Sequence, residues 1–226
     1  GFAAVALIGV LGYWGYDAYR SRHVGESSQQ YSQAMDAFTG GDPEKARQLF
    51  TQVSKSDAKA YKSLALMHLA AYAQRENKTA EAVKLLDQAA DAAPDPLIGD
   101  AARLKSALAL LDTAPLSEVE GRLKPLMEDG RPYRVEAREA LAFAKLRTGD
   151  VAGARGDFVV LSQSLDATQG VQSRAQAAIG LIDSGSAKSI AAVVKAAQAL
   201  PEPMTVTPGQ IVGPPDGGQP QEAAPQ

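Results

Sequence analysis

Residues 34–53 read AMDAFTGGDPEKARQLFTQV, and the interval inside this stretch decides the fold. Ala34 and Ala46 stand twelve residues apart, and Phe50 and Val53 follow the second alanine by four and seven. That spacing puts Ala46, Phe50 and Val53 on one helical face. Between the alanines, Gly40-Gly41-Asp42-Pro43-Glu44 breaks the pattern. A glycine past a helix end accepts left-handed backbone. Asp42 can cap a following helix, Pro43 suits its first position and Glu44 complements the positive end of its dipole. The stretch therefore predicts a helix ending near Thr39, a tight turn, and a second helix to about Lys55.

The interval returns as Ala70–Ala82, Ala107–Val119, Ala142–Ala154 and Ala178–Ile190. Each second member is again followed, four and seven residues on, by apolar side chains: Leu86 and Ala89, Leu123 and Leu126, Phe158 and Leu161, Val194 and Ala197. The second members fall at 46, 82, 119, 154 and 190, a period of about 36 that marks stacked supersecondary units. Unit two pairs a helix from about Ala58 to Arg75 with one from Thr79 to Ala92. Unit three pairs one from about Pro96 to Asp112 with one from Ser117 to Glu128, where Ser117 and Glu120 have capping-box spacing. Pro125 lies inside that last helix and should kink or shorten it. Unit four spans about Tyr133 to Gln163. Unit five runs from Gln169 to Leu200, with a first helix ending early at Ser184-Gly185. Alanine at the crossings lets two helices approach closely, and a hairpin too apolar on one side to stand alone must stack on its neighbours. The expected class is all-α, a superhelix of about five hairpins over residues 21–200.

The totals agree. Hydrophobic residues make up 45% and aromatics only 6%, which suits close-packed helices better than sheets. A net charge of −3 with no basic stripe excludes an electrostatic footprint for nucleic acid. Cysteine is absent, which rules out disulfides and thiolate metal sites and leaves the redox compartment open.

Residues 1–16, GFAAVALIGVLGYWGY, carry no charge. Sixteen helical residues span roughly 24 Å, short of a ~30 Å hydrocarbon core. The chain opens on Gly rather than Met, so a few apolar residues upstream are expected to complete a single-pass anchor ending near residue 20. Tyr13, Trp14, Tyr16 and Arg20 read as the membrane interface, aromatics followed by a basic flank. A cleaved signal peptide would end in small residues, and large aromatics follow instead. Basic residues favour the cytoplasmic side, but that rule compares two flanks and one is not in hand, so the residues leave the topology open. At the other end, residues 201–226 hold seven prolines and four glycines without apolar periodicity. Such a segment cannot bury enough surface to offset its ordering entropy and reads as a disordered tail and spacer.

The repeat pattern resembles the tetratricopeptide repeat (TPR). Small residues at its eighth and twentieth positions correspond to Ala34 and Ala46, Ala70 and Ala82, and Ala142 and Ala154. The larger positions that follow correspond to Phe50, Leu86 and Phe158. The early Trp of that repeat is missing here. The order of GVLGYWGYDAYRSRH, then YSQAMDAFTGGDPEKARQLF, then hairpins including LLDQAADAAPDPL, also resembles the bacterial YfgM-like proteins, ancillary subunits of the SecYEG translocon. That resemblance implies an inner-membrane anchor with a periplasmic repeat domain. It implies protein partners in the Sec translocon and in a periplasmic chaperone or prolyl isomerase-like protein, with help to secreted clients. A scaffold in another envelope assembly, for outer-membrane protein insertion or division, is the competing reading.

Chemistry is sparse. His23 and His68 are the only histidines, 45 residues apart, and no HExxH, GxSxG or P-loop occurs. No enzyme activity, cofactor, metal or small-molecule substrate is expected, and His68 reads as a packed or groove-lining residue. Asn77-Lys78-Thr79 matches a glycosylation sequon, a short pattern that arises often by accident. In TPR superhelices the first helix of each hairpin lines the concave face. By register that face would carry Tyr31, Met35 and Phe38, then Met67, Ala71 and Gln74, then Leu104 and Leu108, then Glu139, Phe143, Lys145 and Arg147. Of these, Tyr31, Met35, Phe38, Met67, Gln74, Glu139, Phe143 and Arg147 are the candidate partner-binding residues. Burial between repeats is the competing expectation for the apolar ones, Leu104 and Leu108 above all.

Overall fold

The computed structural model describes residues 24–186, and among them every regular element is helical. The first helix, α1, occupies residues 24–39. It is followed by α2 (Pro43–Val53), α3 (Lys59–Arg75), α4 (Thr79–Ala92), α5 (Pro96–Leu110) and α6 (Leu116–Leu123). A single 3₁₀ turn (Lys124–Met127) leads to α7 (Arg134–Thr148), α8 (Val151–Gln163) and α9 (Gln169–Asp183). Four complete hairpins and the first helix of a fifth lie in this span. The second helix expected in unit five, the tail at 201–226 and the expected anchor at 1–20 fall outside the described residues. Among the described residues no helix is long and apolar enough to cross a membrane.

The twelve-residue interval is the skeleton of the core. Ala34, Ala46, Ala70, Ala82, Ala107, Val119, Ala142, Ala154 and Ala178 are all at most 3% exposed. Phe50, Val53, Leu86, Leu123, Leu126, Phe158 and Leu161, which follow them, are equally buried. Each hairpin packs along its own length, while α3 also touches α5 and α5 touches α7, so the odd-numbered helices share one face. The core is a chain of local clusters, each spanning one hairpin and part of the next.

Local chemistry sets the helix ends. Asp42, Asp95 and Asp150 each accept a hydrogen bond from the backbone N–H three residues on, at 3.1, 3.0 and 2.9 Å. These bonds satisfy donors left over in the first helical turn. Gly149 closes α7 in the left-handed region at φ +89°, where a Cβ would be strained. Asn77 fills the same role after α3 at φ +58°, so its place in the turn accounts for it without the sequon.

In unit three one expected helix end holds and one does not. Pro125 ends α6 at Leu123 and converts the next turn to 3₁₀, as its missing N–H requires. The capping box at Ser117 does not form. Pro115 holds the N-cap position with extended backbone, which leaves Ser117 inside the helix.

A candidate protein-binding face

The odd-numbered helices carry the side chains that sequence register assigns to the concave face. In the first repeat Tyr31 is drawn inward. Its hydroxyl lies 3.1 Å from His68 Nε2, and its ring meets Phe50 and Tyr61 at 5.8 and 5.6 Å. Met35 packs on the same cluster. With no repeat before it among the described residues, α1 turns these side chains toward the apolar surface of α2 and α3. Phe38 is 36% exposed; it touches Tyr72 edge-on and has the Arg75 guanidinium 6.0 Å from its ring. Met67 is half-buried beside the α4 leucines, while Ala71 and Gln74 are exposed.

The fourth repeat commits its candidates to contacts within the stack. Glu139 accepts two bonds from Arg174 at 2.8 and 2.9 Å, which ties α7 to α9. That pairing holds the Arg174 guanidinium above its ordinary range, chiefly through the Glu139 hydrogen bond. Phe143 packs edge-on against Phe158 at 5.0 Å. Arg147 donates from Nη2 to the Ala114 carbonyl at 2.9 Å, and Lys145 reaches Asp157 at 2.7 Å. Tyr13, Trp14, Tyr16 and Arg20 lie outside the described residues.

Leu104 and Leu108 part company. Leu104 is buried between repeats, as the competing expectation has it, but Leu108 is 44% exposed, where register places it, and its burial is corrected. The two lie one above the other on the same stripe of α5, and the core cluster between repeats takes in Leu104 and stops short of Leu108. Lys105, beside Leu104, was not among the sequence candidates. It stands close enough to His68 for its charge to act on the imidazole. Arg75 and Lys105 have no carboxylate partner among the described residues. Phe38, Ala71, Arg75, Lys105 and Leu108 thus lie exposed across α1, α3 and α5, apolar residues beside two cations that lack a carboxylate partner among the described residues. Sequence register missed the two cations because it follows apolar residues, and nothing local separates an unpaired lysine from a paired one.

His68 is held in this region by stacking on Phe50, with ring centres 4.3 Å apart and planes 7° from parallel. Burial first, and the Lys105 charge second, push its pKa below the ordinary 6.5. The folded state therefore prefers neutral imidazole and binds fewer protons than the unfolded chain. The stabilisation is full above about pH 6.5 and is lost as pH falls through the unfolded value towards the lower folded one. Chemical denaturation at pH 8, 6 and 5 should show stability falling on acidification, and His68→Gln should remove part of that slope. An unchanged slope in the variant would assign the acid sensitivity elsewhere.

An open pocket of ≈ 400 Å³ is lined by Arg131, Arg134 and Glu136 among others. Its arginines are committed, Arg131 to Asp100 and Arg134 to Asp129 and Asp166, so neither is free for an anion. Among the described residues no group of three His, Asp or Glu side chains could hold a metal ion.

Comparison with known proteins adds the family. The model of the tetratricopeptide repeat-like domain matches residues 1–177. Two solved structures are similar, a Podosopora anserina putative kinesin light chain with nearly identical TPR-like repeats and a point variant of that same protein. The first has 20% identity and a TM-score of 0.49, covering 78% of this chain and 96% of that one. The variant has 21% identity and a TM-score of 0.50 over the same shares. At that identity the likeness of the variant concerns the fold alone. No curated protein matches.

Proposed function

The chain belongs to the tetratricopeptide repeat-like domain family, and from that premise we propose that it is a membrane-anchored scaffold at the periplasmic side of a bacterial Sec translocon. Repeats of this kind are protein–protein interaction scaffolds, typically non-catalytic, and bind through surface shape rather than reactive groups. The observation that carries the binding role is the face across α1, α3 and α5, where Phe38 and Leu108 stay exposed beside Arg75 and Lys105. Exposed apolar surface rimmed by polar groups marks interaction sites. The anchoring and the translocon partner rest on the uncharged opening segment, its Tyr-Trp-rich exit and the YfgM-like order of motifs. The family match beginning at residue 1 supports reading that opening segment together with the repeats.

In this reading the anchor holds the stack at the membrane, and the concave face receives a segment of a translocon subunit, a chaperone or a secreted client. Photo-cross-linking from position 71 in intact membranes should capture SecY or a Sec-associated chaperone. Leu108→Asp, at an exposed position, should lower that capture at least fivefold with helix content unchanged. Capture of outer-membrane insertion machinery instead would move the scaffold to another envelope assembly. Capture indifferent to Leu108→Asp would remove this face from the account.

A further inference from the structure

The face across α1, α3 and α5 has a chemistry that the chain itself can answer. Its floor is apolar, with Ala71 open and Leu108 44% exposed, and it carries two cations without carboxylate partners among the described residues. Residues 201–226 carry the complement. Met204, Val206, Ile211 and Val212 supply apolar side chains, Glu202, Asp216 and Glu222 supply negative charge, and no Lys or Arg occurs among them. We propose that this C-terminal segment docks as an extended strand on the concave face. It lays its apolar residues over Ala71 and Leu108 and its carboxylates beside Arg75 and Lys105. A protein partner then binds by displacing it. The inference rests on the scaffold reading of this face and names its resident occupant.

Reach permits it. The described chain ends at Ser186, just past α9, and three odd-numbered helices in sequence (α7, α5, α3) lead from there to Ala71. At 8–10 Å between packed helices that is roughly 30 Å. Residues 187–200 cover about 21 Å even if fully helical, and 26 residues in polyproline geometry add up to about 80 Å. Seven prolines restrict the segment before it docks, so less conformational freedom is lost on binding. A tether of this length gives an effective concentration on the order of 1 mM, so even an intrinsic Kd of about 0.1 mM would leave the face some 90% occupied. A weak, sequence-tolerant contact is therefore sufficient, and it remains weak enough for a partner to replace.

The chain has no cysteine, so introduced pairs report cleanly. In the full chain, Ala71→Cys with Ile211→Cys is compared under mild oxidation with Val160→Cys with Ile211→Cys. Val160 is exposed on α8, closer to Ser186 along the stack, so an undirected tail would favour the control. Intramolecular closure should be at least tenfold faster for the groove pair, and Lys105→Glu should slow it at least threefold. Leu108→Cys with Ile211→Cys gives a second groove reading, and circular dichroism checks that each variant keeps its helix content. Closure at Val160 as fast as at Ala71, no closure at either groove position, or indifference to Lys105→Glu would each overturn the proposal. Partner capture from position 71 is a separate measurement, so the scaffold reading and the tail can fail independently.

Discussion

Phe50→Ala should lower stability by about 3–5 kcal/mol, the range for truncating a fully buried phenylalanine. Phe50 has no exposed surface; His68 stacks on its face and Tyr31 meets its edge. Removing the ring leaves a cavity between α1, α2 and α3 that the stiff surrounding helices cannot close. It also strips His68 of its stacking partner. Because repeat stacks are stabilised by each unit and its nearest neighbours, the damage should stay local. Amide exchange should lose protection over residues 24–53 while residues 134–163 keep theirs, and urea unfolding should shift to lower concentration. A loss below ~1.5 kcal/mol would mean that the site collapses readily around the missing ring. Equal loss of protection along the whole chain would mean the stack unfolds as one block.

The second large effect concerns Asp100, a carboxylate in α5 with no exposed surface. Its Oδ1 accepts from Arg131 Nη2 at 2.6 Å and from Arg103 at 3.1 Å, while its Oδ2 has no partner. Arg131 sits in the connection before α7, so this pair fastens that connection to the third repeat. Arg131→Met strands a charge in the core and should cost about 3 kcal/mol, the lower end for breaking a buried pair. The lower end applies because Arg131 itself remains 28% exposed and Arg103 still reaches the carboxylate. Adding Asp100→Leu to Arg131→Met should recover most of that loss, since no buried charge then remains. Thermal or urea denaturation of the wild type, both single variants and the double variant measures the coupling. A double variant no more stable than Arg131→Met alone would show that Asp100 holds the connection by shape rather than charge.

These two residues also show how far reading the chain reaches. Phe50 was legible because its place in the interval Ala46, Phe50, Val53 recurs at Phe158 and elsewhere, and periodicity reports the buried face of a helix. The same holds for Pro125, whose missing N–H shortens α6, and in part for His68, expected to be packed or to line the groove and found stacked on Phe50. Asp100 was not legible. Its partner lies 31 residues away, and its identity depends on how one hairpin rotates against the next. The competing expectation that Leu108 is buried fails for a related reason. Periodicity separates inside from outside on one helix but not covered from open between two.

From the amino acids alone follow the helical class, the pairing of helices over the described residues and nearly all their ends. Those features are set by contacts within about a dozen residues: alanines at crossings, aspartate caps, glycine and proline punctuation. The tertiary structure decided what each repeat does with its remaining surface. It turned Tyr31 inward, spent Glu139 on α9 and Arg147 on the α5–α6 connection, and left Phe38, Arg75, Lys105 and Leu108 open together. The reason is geometric. Side chains some 30 residues apart meet only after stacking sets the rotation between repeats, and no local interval encodes that angle.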